Sequence, residues 1–318
     1  MAQPSDDKLL AHIGRDYYLE NKSKVEIATA YGISRFQVAR LLEEARARGI
    51  VRIEVAFPHA TSAVDTSALQ RNLGIESVIV TATGSDDSQT RDGMAEAAAE
   101  QLMKRTRKGA TVGISWSRAL DLAARRVTEL PDCDLVQLAG ALPVPGSRSS
   151  IDLIRTLGEV TQGKTWPIWA PLVVENAATA ESLKRQPEIS QALVKADSLD
   201  LAVVALGGWR AGISTVWDRV DNATRLAGVD AGAVAECSGR LISADGQPVR
   251  TALDECVIAV TLEQLRQTPH VVVVAQGAAR ADAVHAAIRA GIVGTLIIDE
   301  ELAWALEEPL HTKSVPSA

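Results

Sequence analysis

Apolar runs rich in β-branched residues recur along most of the chain, each separated from the next by a segment of helical periodicity. They are VIVTAT (78–83), TVGIS (111–115), DLVQLAG (134–140), LAVVAL (201–206), CVIAV (256–260), HVVVVA (270–275) and TLIID (295–299), with helical stretches at 90–105 and 118–130 between the first three. A continuous apolar strand is buried on both faces, and helical crossovers supply the cover, so the pattern predicts an α/β fold built on a parallel sheet. At 318 residues the chain exceeds what one core usually organises, which predicts a second, smaller unit.

Ligands of parallel α/β sheets bind beyond the carboxyl ends of the strands, so the residues after each run are the candidates for function. Ser115, Trp116, Ser117 and Arg118 follow one run and open a helix, bringing backbone N–H groups, hydroxyls and a cation together as an anion site requires. Gly140 follows the next run, Gly207 and Gly208 another, and Gln276 and Gly277 precede a helix beginning near Arg280. Glycines at several strand ends allow the close backbone approach that a phosphate or polyol needs. The segment TWPIWAPLVVEN (165–176) holds two of the six tryptophans, which either line a sugar site by stacking or pack rigidly.

Signatures of catalysis are missing. The chain has no GxSxG elbow, HExxH, Walker loop or GxGxxG fingerprint, its five histidines are scattered, and Asp299 and Glu300 stand where acidic helix caps stand. Three cysteines without close spacing, and no basic-then-apolar leader, predict a cytoplasmic protein without disulfides, metal or cofactor. No apolar run is long enough to cross a bilayer.

The net charge of −7 is unevenly spread: residues 1–56 hold nine Lys/Arg against eight Asp/Glu, which leaves −8 on the other 262. Contact with DNA therefore belongs at the N-terminus. There KVEIATAYGISRFQVARLLEEAR (24–46) reads as two short helices joined at Gly32, with 7–20 as a leading helix. Ser34 is placed as N-cap of the second of the pair with Gln37 completing a capping box, and Val38, Leu41, Leu42 and Ala45 form its apolar stripe. Phe36, Gln37 and Arg40 then lie on the opposite face as candidate base readers, while Ser34 and Arg35 suit phosphate. A period-2 run at 50–55 follows basic Arg46 and Arg48 as the start of a wing. The expected organisation is a winged helix-turn-helix at 1–56, a polar linker at 57–68 and a larger domain at 69–318.

With these residues in view, the chain resembles the SorC family of bacterial sugar-binding transcriptional regulators over nearly its full length. The resemblance is carried by KVEIATAYGISRFQVARLLEEARARGIVRIEV, VGISWSRAL, GAVAECSGRLISADGQPV and HVVVVAQGAARADAVHAAIRAGIVGTLIIDEELA. It implies an effector domain with the fold of ribose-5-phosphate isomerase and glucosamine-6-phosphate deaminase, used for sensing. It also implies a dimer or tetramer on palindromic double-stranded operator DNA, with a small carbohydrate as effector. Carried over by position, Ser115, Trp116, Ser117 and Arg118 hold the phosphate or polyol end, and Gly207 and Gly208 flank it. Glu236 and Asp245 lie in the closing segment, and Gln276, Gly277 and Arg280 complete the pocket. The chain departs from the family where two glycines and a lysine are usual (Gln276, Gly277 and Arg280), where aspartate is usual (Glu236) and where threonine is usual (Ile298). An unphosphorylated polyol therefore stays open as effector, and the rival is an isomerase or deaminase with a helical appendage.

Overall fold

The computed structural model describes residues 7–51, 64–143 and 149–307. The chain divides into two compact units, Met1–Pro58 and His59–Ala318.

The larger unit is an α/β fold around a central, mostly parallel sheet. Its strands are β1 (Ser77–Thr81), β2 (Thr111–Ile114), β3 (Asp134–Gln137), β4 (Thr165–Trp166), β5 (Leu201–Gly208), β6 (Ala233–Cys237), β7 (Arg240–Ser243), β8 (Pro248–Val249), β9 (His270–Ala275) and β10 (Thr295–Asp299). The parallel order is β1-β10-β9-β5-β2-β3-β4. Strand alternation sends successive valines to opposite faces. Val271 and Val273 pack with Val284 and Ala287 of the helix Ala281–Arg289, whereas Val272 and Val274 pack with Met94, Ala98 and Leu102 of the helix Asp87–Arg105. That two-sided burial is why the strands read as unbroken apolar runs.

Three expectations need correction. CVIAV is not a sheet strand: Cys256 ends the helix Ala252–Cys256, and Val257 and Ala259 form only isolated bridges, to Val173 and Ala139. Val257 to Val260 are buried outside a ladder, Ile258 against the helices Ala177–Lys184 and Pro187–Lys195 and Val260 against the sheet core. The helix expected over 118–130 spans Arg118–Arg126, closing before Pro131, whose ring cannot continue it. The stretch expected as linker lies outside the described residues up to residue 63, and its end instead opens the helix Thr66–Leu73, capped by the Asp65 carboxylate on Ala68 N–H at 3.0 Å.

In the smaller unit three helices follow one another: Asp7–Tyr18, Lys24–Tyr31 and Arg35–Ala47. The last two begin at reciprocal capping boxes, Ser23 with Glu26 and Ser34 with Gln37. Gly32, at φ 65°, ends the middle helix in the left-handed conformation that glycine accepts without strain. Leu10, Ile13, Ile27, Val38, Leu41, Leu42 and Ala45 form the core. Gly14 lets Val51 in, since a Cβ there would lie 2.5 Å from Val51 Cγ2. The Ile50 and Val51 amides donate to the Ala45 carbonyl, and the rest of the run expected as a wing strand, from residue 52, lies outside the described residues.

One polar knot ties the first two helices. The buried Asp16 carboxylate accepts from Tyr31 Oη at 3.0 Å and pairs with Lys22 Nζ at 3.3 Å. Burial alone raises its pKa, but the Tyr31 and Lys22 bonds, with Arg15, outweigh it and hold Asp16 below its ordinary 3.8. A carboxylate with a depressed folded pKa contributes stability that is complete above its unfolded value and disappears as pH falls through the folded one. Asp16→Asn is therefore expected to melt below the parent chain at pH 7, with the gap narrowing as pH falls below about 4, measured by thermal denaturation across pH.

Candidate functional site

The carboxyl edge of the sheet carries two adjoining cavities, of about 120 Å³ and 440 Å³, which share Ile213 and Arg280 in their walls. The first is formed where β5 changes partners. Over Leu201–Ala205 it pairs parallel with β9, and over Leu206–Gly208 it pairs antiparallel with β6. Gly207 lies opposite Glu236 in that register, and a Cβ on Gly207 would sit 2.9 Å from Ile213 O and 3.3 Å from Glu236 Oε2. The glycine thus makes room for both a carboxylate and the folded-over segment Arg210–Thr215.

Glu236 is buried, accepting from Gly239 N–H at 2.5 Å and from Ser214 Oγ at 3.2 Å. Burial pushes its pKa up despite those two donors. At the other end Asp299, at the tip of β10, is also buried; it accepts from Gly277 N–H at 2.8 Å and from Leu302 N–H at 3.3 Å. It is therefore a helix cap, as the sequence indicated, and it also lines the second chamber. Burial raises the Asp299 pKa, with the Gly277 and Leu302 amides and then Arg280 opposing. Burial lowers that of Arg280, against the pull of Asp299 and Asp87. A guanidinium stays charged under such pressure, so Arg280 is a fixed cation between the chambers. It spends one donor on the Gln276 carbonyl.

The structure brings Ser115, Trp116, Ser117, Gly140, Gly207, Glu236 and Arg280 to the first chamber, and Arg118, Gln276, Gly277 and Arg280 to the second. Two of the hydroxyls also hold backbone: Ser115 Oγ accepts from Ala205 N–H at 3.0 Å, locking β2 to β5, and Ser117 Oγ caps its helix at Leu120 N–H, 3.1 Å. Gly140 has a packing reason as well, for a Cβ there would meet Pro171 O at 2.6 Å.

Two expected residues are elsewhere. Gly208 is not beyond a strand end but within β5, where its missing Cβ admits Ile213 Cδ1 at 2.4 Å. Asp245 is exposed in the turn between β7 and β8, where it accepts from Ser243 Oγ. It does not border either chamber, because the turn at Gly246 (φ 82°) points this hairpin end toward Arg289, which donates to Ala244 O at 2.6 Å. The tryptophans of 165–176 are also apart: Trp166 and Trp169 line a separate groove with Lys164 and Glu188. Sequence reasoning missed Ser214, Thr215 and Ser238 in the first chamber and Thr83, Asp86 and Arg91 in the second. The glycine and serine content of WRAGIST, directly after β5, was the available signal for the first two. Among the described residues, no three His, Cys, Asp or Glu side chains are grouped to hold a metal ion.

On the third helix of the smaller unit, Ser34, Arg35, Phe36, Gln37 and Arg40 are all exposed, Phe36 by 73 %. The Arg35 guanidinium stacks over the Phe36 ring, 5.0 Å from its centroid. Gln37 Oε1 already accepts from Ser34 N–H at 2.8 Å, so a bidentate contact with adenine would require it to leave the cap.

Residues 60–306 match the family described as "Putative sugar-binding domain". The chain belongs to this family. It is 25 % identical to the transcriptional regulator LsrR of Klebsiella pneumoniae over 95 % of this chain and 93 % of that one. It is likewise 25 % identical to the deoxyribonucleoside regulator of Bacillus subtilis, over 95 % of this chain and 98 % of that one. The crystal structure of the full-length sorbitol operon regulator SorC from Klebsiella pneumoniae superposes with a TM-score of 0.71 at 19 % identity, covering 96 % of this chain and 99 % of that one. The resemblance to SorC regulators drawn from the sequence therefore holds.

Because burial raises the Glu236 pKa, ionising it in the folded chain is unfavourable, and its contribution to stability declines as pH rises above the unfolded carboxylate value. Glu236→Gln is expected to gain stability relative to the parent as pH is raised from about 4 to 7; equal pH profiles in thermal melts would contradict the burial of an ionisable group at this position.

Proposed function

We propose that this protein is a DNA-binding transcriptional regulator whose affinity for an operator responds to a sugar, polyol or sugar phosphate. The observation that carries the proposal is that its similarity to named regulators runs through both units, covering 95 % of the chain. The smaller unit acts as the winged helix-turn-helix. The helix Arg35–Ala47 enters the major groove with Phe36, Gln37 and Arg40 toward base edges and Ser34 and Arg35 toward phosphate. The larger unit senses the effector in the chambers around Arg280, with the isomerase-like fold serving binding and not turnover. Its ligand groups are Ser115, Trp116, Ser117, Gly140, Gly207 and Glu236 in one chamber and Arg118, Gln276 and Gly277 in the other. The active form is a dimer or tetramer on a palindromic site.

The chemistry of the chambers supports a carbohydrate. Arg280 suits an anionic or strongly polar group, serine hydroxyls and a buried carboxyl suit hydroxyls, and the Trp116 indole and Leu172 suit the carbon face. Response follows from linkage: an effector changes DNA affinity only by binding the two states of the protein unequally.

Fluorescence anisotropy with DNA from upstream of its own gene, with and without sugars, polyols and their phosphates, tests both halves. Tight, salt-sensitive binding altered by one compound is expected; absence of any specific DNA binding would refute the proposal. Arg40→Ala is expected to cost about 1–3 kcal/mol at the cognate site and to relax specificity there. Arg35→Ala is expected to weaken all sequences about equally, and matching losses for the two variants would contradict this division of roles.

A further inference from the structure

Two polar atoms on residues of the first chamber are buried, Trp116 Nε1 with no hydrogen-bond partner and Ser238 Oγ with none beyond the neighbouring Cys237 thiol. Ser238 is 8 % exposed and, at φ 52°, is held in the left-handed conformation that favours glycine. A buried hydroxyl that meets only a thiol and a non-glycine residue at positive φ are each unfavourable, and such features concentrate where a ligand is bound. The turn between β6 and β7 does not call for a serine: Gly239, at φ 82°, completes it and donates its N–H to Glu236. The side chain beside it, Cys237, offers only a thiol, which burial pushes up to about 12 and which accepts weakly.

The charges around these atoms say what they meet. The first chamber holds the Glu236 carboxyl and shares its one guanidinium, Arg280, with the second, where Arg91 and Arg118 also stand among Asp86, Asp87, Asp299 and Glu301. A buried carboxyl such as Glu236 suits a hydroxyl, which can both donate and accept, whereas an anionic group is better served by the guanidiniums of the second chamber. Rotation about the Cα–Cβ bond of Ser238 turns Oγ toward the cavity that the residue lines.

We infer that Ser238, together with the Trp116 indole N–H, hydrogen-bonds a hydroxyl at the uncharged end of a polyhydroxylated ligand, so that Ser238 sets which sugars the pocket accepts. The inference rests on the proposed assignment of this chamber to the effector.

Calorimetric titration of the full chain with sorbitol, sorbitol 6-phosphate, ribose 5-phosphate and 2-deoxyribose 5-phosphate tests it, using the parent, Ser238→Gly and Trp116→Phe. Glycine removes the hydroxyl while tolerating φ 52°, so Ser238→Gly is expected to keep or raise the melting temperature. Both variants are expected to bind the tightest of these compounds about tenfold more weakly. Undiminished binding by Ser238→Gly, or a loss accompanied by a lowered melting temperature, overturns the inference and leaves the effector site standing. Failure of the parent to bind any of the four overturns the site assignment and the inference with it.

Discussion

Strand β5 runs through the middle of the parallel sheet for its first five residues and then, from Leu206, pairs antiparallel with β6. The Glu236, Ser214 and Ser238 side of the first chamber depends on that change of partner. A strand buried between β9 and β2 has no freedom to turn, so the chain can meet a second hairpin only by extending past the edge of its neighbours. Once it does, Gly207 lies opposite Glu236, and the absence of a side chain on Gly207 leaves space for the carboxyl group and for Ile213 to fold over it. A buried carboxyl is tolerable only if it is hydrogen-bonded or neutral. Here Gly239 N–H and Ser214 Oγ provide the bonds, and burial favours the neutral form.

The second chamber is governed by a similar economy of position. Asp299 caps the helix Glu300–Glu307 and accepts from Gly277, so the turns after β9 and β10 are tied together by one carboxylate. That tie keeps Arg280 between the two chambers, where neither side can be filled without meeting a cation. In the smaller unit the corresponding tie is the Asp16 knot with Tyr31 and Lys22, which fixes two short helices that could not persist alone in water.

Much of the sheet was legible. HVVVVA and TLIID coincide with β9 and β10, because strands covered on both faces need uninterrupted apolar side chains. CVIAV carries the same composition and forms no ladder, since apolar run length records burial and not hydrogen-bond partners. The capping box of Ser34 with Gln37 and the turn at Gly32 were legible because their determinants lie within four residues. The same capping bond engages Gln37, a cost to base reading that follows from the capping box itself.

By itself, then, the sequence determined what local chemistry and periodicity can encode: two short capped helices joined at Gly32 ahead of a parallel α/β sheet, and polar and glycine residues gathered at carboxyl strand ends. Resemblance to SorC regulators added Glu236. Tertiary structure alone decided which of those residues share a cavity. It excluded Gly208, which faces Ile213 from within β5, and Asp245, which belongs to a hairpin turn. It added Ser214 and Ser238, which follow β5 and β6 and which the sequence had not singled out. The physical reason is that periodicity specifies which face of an element is buried, whereas convergence on a site depends on strand order and register, and these are set by contacts between residues far apart in the chain.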